Sequence, residues 1–187
     1  MSKNLLKTNP RAAILLLILI VVGSVYFYFY KTQHNKKDSL NFYALSAPAV
    51  FKDLDQTYTS DKYNFSFNYP KGLQASSIPS DSGDVVVVAD SKGLGFQIYI
   101  TPFDEPISVL SVERIKKDAT DLAILNPQDV ILGADAKAGK GVAFLDGDGL
   151  QANRQVWFIY AGHLYQITAP VDFDATLQNV LNTWKFE

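Results

Sequence analysis

The 187-residue chain carries 17 lysines and arginines against 19 acids, two histidines and no cysteine. The missing thiol excludes disulfides, thiol catalysis, cysteine-based zinc sites, iron–sulfur clusters and a cysteine lipid anchor. Residues 1–37 hold six bases and no acid, whereas residues 38–187 hold every acid and eleven bases, a net −8 that repels polyphosphate and argues against nucleic acid as a partner.

Residues 1–11 form a basic N-terminus, and the next 19 residues, 12–30, carry no charge. A helix of that length rises about 28 Å, close to the roughly 30 Å hydrocarbon core of a bilayer. Residues 12–30 therefore read as one transmembrane helix with the lipid bilayer as its partner. Arg11 before the run, and Tyr26, Tyr28, Tyr30 and Lys31 at its far end, are residue types that sit at the membrane interface. Lys3, Lys7 and Arg11 favour a cytoplasmic N-terminus, which places the C-terminal domain outside a cell membrane crossed once. The competing reading is a cleaved signal peptide, whose apolar core runs about 7–15 residues before a small-x-small site. Here the stretch is longer and ends in bulky aromatics. Residues 31–56 read as a tether, which as a flexible coil reaches about 25–30 Å on average. Leu45, Val50, Phe51 and Leu54 offer the alternative of a short helix against the domain.

Residues 57–187 read as one extracytoplasmic domain. Tyr63, Phe65, Phe67 and Tyr69 alternate with Asn64, Ser66 and Asn68, the period of a half-buried strand, and Pro70-Lys71-Gly72 supplies a turn. A short strand is expected over 73–78. The valine run over 84–90 is apolar on both faces, and 95–101 alternates through Phe96, Ile98 and Ile100. A helix follows, with Ser111 as its cap, Glu113 in its first turn, and Leu110, Ile115 and Ala119 as its apolar stripe. Asn126-Pro127 ends that region, with strands expected over 129–132 and 141–145. The clearest hairpin joins 154–161 to 164–169 through Gly162-His163, a Gly-X pair suited to a tight primed turn. A last helix is expected over 173–182, capped by Asp172 or Asp174, with Leu177, Val180, Leu181 and Trp184 on one face. Trp184-Lys185-Phe186 then reads as a final packed strand. The hairpin's first strand is apolar on both faces, so it needs cover above and below. The expected fold class is α+β: an antiparallel sheet sandwiched between helices.

Few residues suggest chemistry. His34 lies among tether lysines and His163 beside a turn, and no Gly-x-Ser-x-Gly elbow accompanies them. Asp146 and Asp148, in Asp-Gly-Asp-Gly, offer hard oxygen ligands on a turning backbone and are the calcium candidates, although the rest of an EF-hand loop is missing. The glycine-rich stretch 133–141 lacks the Gly-Lys-Ser/Thr ending of a phosphate loop. Asp104-Glu105 and the Asp172/Asp174 pair sit where turns and helix starts favour acids. Among the aromatic residues, Tyr63, Tyr160 and Tyr165 are the candidates for a partner surface.

Two segments resemble PsbP-like domains. The aromatic strand from Tyr63 to Tyr69, ending in Tyr69-Pro70-Lys71-Gly72, is similar to that family's opening hairpin. The closing strand Leu164-Tyr165-Gln166-Ile167-Thr168, with the helix and Trp184-Lys185-Phe186 after it, is similar to the family's end. The resemblance implies an antiparallel sheet with helices on its faces, and an accessory role rather than a catalytic one. It carries over no metal ligand. The expectation is a membrane-anchored, non-enzymatic accessory or binding module for a protein assembly of the cell envelope, with no cofactor. The alternative is an extracytoplasmic binder of a small ligand or calcium with hydrolytic activity.

Overall fold

The computed structural model describes residues 53–133, 139–147 and 152–187. The membrane helix expected over 12–30, most of the tether, and Asp148 lie outside the described residues, and no helix among the described residues is long and apolar enough to cross a membrane.

In chain order the described elements are β1 (Gln56–Ser60), β2 (Phe65–Tyr69), β3 (Gln74–Ile78), β4 (Asp84–Ala89), β5 (Gly95–Pro102), α1 (Val112–Asp118), β6 (Leu125–Leu132) and β7 (Gly139–Asp146). They continue with β8 (Asn153–Tyr160), β9 (His163–Pro170), a 3-10 turn (Val171–Phe173), α2 (Asp174–Asn182) and β10 (Lys185–Phe186). Seven strands form one sheet in the order β3-β4-β5-β9-β8-β7-β6, and three form a second in the order β1-β2-β10. Every neighbouring pair is antiparallel.

The period-two pattern decides which side chains go inside. Phe65, Phe67 and Tyr69 of β2 point into the core, as do Val86 and Val88 of β4, Phe96, Ile98 and Ile100 of β5, and Tyr165 and Ile167 of β9. The small sheet and α2, through Leu177, Val180 and Leu181, close this face. Trp184 sits at its centre, stacked on Phe65 at 4.7 Å and Phe67 at 5.1 Å and edge-on to Phe158 at 5.7 Å. Offset and edge-to-face pairs of this kind add about 0.5–1.5 kcal/mol each beyond the area they bury.

The opposite face carries a smaller core. Val142 and Phe144 of β7 and Trp157 and Ile159 of β8 pack with Ile115 of α1. As expected, Ser111 caps α1: its side chain accepts the Arg114 backbone N–H at 3.2 Å. This cover reaches only the β7–β9 half. Val85 and Val87 of β4 stay half-buried. The expected sandwich of one sheet between helices is therefore corrected: a second sheet does most of the covering, and the helices are two and short among the described residues.

Three local expectations also change. The hairpin turn lies one residue earlier, at Ala161-Gly162, where φ is +46° and +74° and the closing pair is Tyr160 with His163. Two consecutive positive φ values match the right-handed twist of the flanking strands. Asn126-Pro127 interrupts no strand; it sits in a register shift within β6, which is an edge strand, where a missing N–H leaves no inner ladder bond broken. Asp174 does not cap α2 with its side chain; both of its oxygens accept from Arg154 of β8, at 2.8 and 2.9 Å.

Candidate functional site

After Pro102 the chain leaves β5 and runs across the end of the β8–β9 hairpin toward α1. Phe103 is pinned there because its N–H donates to the Gly162 carbonyl at 2.8 Å. The Arg114 guanidinium of α1 lies 5.8 Å from the Phe103 ring, donates to both oxygens of Glu105 at 2.5 Å each, and also binds Asp118. The Arg114 fork holds the Glu105 carboxyl below the ordinary carboxylate range. The segment thus becomes a fixed wall, and its Glu105 shares the Arg114 cation with Asp118.

Between this wall and the ends of β7 and β8 lies a solvent-open groove of about 450 Å³. Phe103, Ile107, Val109 and Ile159 give it apolar sides, Lys140 stands at its edge, and Tyr160 borders it while its ring turns to the main core. On β7, Val142 and Phe144 face α1, so Lys140, two residues before Val142, shares their face. Directly across the ladder from Lys140 is Ile131 of β6, which is 65% exposed. Val109 is 54% exposed and Ile107 36%. Among the described residues Lys140 has no ion-pair partner.

The tyrosines singled out in the sequence separate. Tyr165 is fully buried and Tyr63 nearly so, which corrects their assignment to a partner surface: both rings are core. Tyr160 stays half-exposed, lines the groove and stacks on Phe186 at 3.8 Å.

A polar corner lies at the start of β2 and β4. Lys62 Nζ donates to Asp84 Oδ2 at 2.8 Å, while Asp84 Oδ1 is buried without a hydrogen-bond partner. Burial pushes the Asp84 carboxyl up, but Lys62 and Tyr63 outweigh it and hold the group below its ordinary value. Ile100 separates Asp84 from Tyr165 across the sheet. Tyr63 packs edge-on to His163 at 5.0 Å and to Tyr165 at 6.4 Å. Burial raises both phenols, so they stay neutral near pH 7, and the corner is a fixed charge pair rather than a proton relay. His163 belongs to the strand, and its Nδ1 donates to the Ala161 carbonyl at 2.9 Å.

Of the calcium candidates, Asp146 ends β7 and its Oδ1 accepts the Ala123 N–H at 3.0 Å, which ties down the chain after α1. Its partner in that reading, Asp148, is outside the described residues. No group of three or more acids or histidines among the described residues is placed to hold a metal ion.

Sequence reading singled out Tyr160 but not Lys140, Ile107, Val109 or Ile131. Ile107 and Val109 alternate in a stretch that looks like a strand fragment or a helix lead-in. Only the tertiary fold shows that their side chains stay outside.

No protein-family model matches the chain, and no curated protein matches it. The solution structure of cyanobacterial PsbP (CyanoP) from Synechocystis sp. PCC 6803 is similar over 81% of this chain and 99% of its own, with 13% identity and a TM-score of 0.46. A crystal structure from Bacteroides thetaiotaomicron VPI-5482 is similar over 72% of this chain and 49% of its own, with 11% identity and a TM-score of 0.37.

Proposed function

We propose that this chain is a membrane-anchored, extracytoplasmic, non-enzymatic module that docks a protein of the cell envelope. The observation that carries the reading is the clustering of exposed apolar side chains. Ile107 and Val109 share one groove with Lys140, and Ile131 faces Lys140 across the ladder. Isolated exposed apolar residues are ordinary on a protein surface, but several gathered around one concavity mark a binding site. The uncharged run 12–30 supports the anchor, and the basic residues before it support an extracytoplasmic domain.

The test is crosslinking of the full chain in native membranes, followed by capture, with Val109→Asp/Ile131→Asp as the comparison. A defined partner caught by the natural chain and lost from the double variant is the expected result. The same set of proteins caught by both would remove the groove from the function, and repeated capture of nothing specific would remove the docking role.

A further inference from the structure

Among the described residues the two sheets have four edge strands, and they are not equally protected. An open edge accepts another strand unless charge, proline, a bulge or shortness blunts it. β6 carries Pro127, Asp129 and a register shift, and β10 is two residues long, with Lys185 beside Glu187. β1 has no charge of its own, but Asp55 and Asp61 flank it. β3, Gln74-Ala75-Ser76-Ser77-Ile78, has no charge, proline or glycine, and it pairs with β4 without a register shift. It also stands clear of its neighbours. Ala75 packs on the main core, so Ser77 shares its face while Ser76 and Ile78 take the other, yet Ser76, Ser77 and Ile78 are all exposed.

The charges beside β3 select what pairs with it. Lys71 lies five positions before Ser76 and Asp81 five after. Both are exposed, and neither has an ion-pair partner among the described residues. Antiparallel pairing of β3 with its own copy, centred on Ser76, sets Gln74 against Ile78 of the copy. It also brings the turn with Lys71 to the copy's turn with Asp81, at both ends. The same operation on β1, centred on Tyr58, sets Asp55 against Asp61 twice. Residues 38–187 carry −8, so a copy is repelled over most of the surface, and β3 is the edge where two-fold pairing brings opposite charges together.

We propose that a second copy of this chain docks on β3 by two-fold antiparallel pairing about Ser76, joining two seven-stranded sheets edge to edge. The surface is distinct from the groove, which lies toward β7 and β8. One five-residue edge is small beside the roughly 1,200 Å² that a stable interface buries, so the association is weak and depends on protomer concentration.

The chain has no cysteine, so single thiols report the pairing without background. The full 187-residue chain is placed in lipid vesicles as Ser76→Cys, with Thr57→Cys and Ile131→Cys as exposed positions on the β1 and β6 edges, and treated with a short bismaleimide. Two-fold pairing sets Ser76 against itself, at the about 4.5–5.5 Å Cβ separation of cross-strand neighbours. Ser76→Cys is therefore expected to form a covalent dimer about tenfold faster than either comparison. Lys71→Asp added to Ser76→Cys is expected to slow it to the comparison rate, and Asp81→Lys added to both is expected to restore it. Melting curves confirm that each variant is folded. Equal rates for the three thiols would overturn the proposal, as would a charge reversal at Lys71 without effect or one that the change at Asp81 does not repair. None of these outcomes moves the docking role of the groove, which Val109→Asp/Ile131→Asp tests separately.

Discussion

At the scale of single residues, the pair Lys62–Asp84 shows how one buried charge can set the acid limit of a domain. The folded carboxyl titrates below its unfolded value of about 3.9, so the unfolded chain takes up the proton first on acidification. The stabilisation is fully present above about pH 4 and is lost as pH falls through the lower folded value. Asp84→Asn is expected to remove about 1.5–3 kcal/mol at neutral pH, the range of a hydrogen bond to a charged group, and to flatten the acid limb. Urea midpoints from pH 3 to 7 check both. Lys62→Gln has the opposite signature. With its cation gone, burial dominates the carboxyl and its folded value rises above the unfolded one, so the variant is destabilised at neutral pH and the deficit shrinks as pH falls through that raised value. An unchanged acid limb in Lys62→Gln would mean that solvent, not Lys62, compensates the buried charge. None of this was legible in the sequence, where Lys62 and Asp84 stand 22 residues apart with two strands between them.

Elements were read with more success, and the misses have physical causes. The alternation of Tyr63, Phe65, Phe67 and Tyr69 was legible because every second side chain had to be buried. Ser111 was legible as a cap because its hydroxyl and the orphan N–H three residues on form a local unit. Ser111→Ala is expected to lower stability by about 0.5–2 kcal/mol and to speed amide exchange in α1 before the rest of the domain. A uniform rise in exchange across all strands would place the loss outside the helix. The hairpin turn differs from the expected Gly162-His163 pair because Gly162 takes the second turn position instead of the first, which leaves the strained first position to Ala161. An alanine at φ +46° carries a left-handed penalty that asparagine largely avoids. Ala161→Asn is therefore expected to raise stability by about 0.5–1 kcal/mol, read as a higher melting temperature with an unchanged transition width. The second sheet escaped notice because β1 and β10 are short segments whose pairing is fixed by β2, not by their own patterns.

For the molecule as a whole, the decisive feature is the aromatic centre around Trp184. Its ring is fully buried among Phe65, Phe67, Phe158 and Phe186, with its indole N–H unpartnered. Trp184→Ala is expected to remove about 3–5 kcal/mol, which is a large part of the 5–15 kcal/mol that typically holds a domain together, so its melting transition becomes broad or is lost. Trp184→Phe keeps most of the stack and removes the unpaired donor, and is expected to melt close to the natural chain. Equal damage from both would show that the indole shape itself is required. Trp184 was legible as a core residue from its helical spacing with Leu177, Val180 and Leu181. The groove was not, because its wall, floor and cation come from β5, α1, β7 and β8 and meet only through the long-range register. The small sheet has one further consequence, for biogenesis. β2 takes its partners from both ends of the domain, β1 from the start and β10 from the last residues, and the Asn68 N–H donates to Thr183 Oγ1 across 115 positions. A nascent chain that still lacks those final residues has a cleft where β10, Trp184 and Phe186 belong. The small sheet therefore closes only after β10 has been made and has reached β2, which makes its pairing one of the later, long-range folding steps.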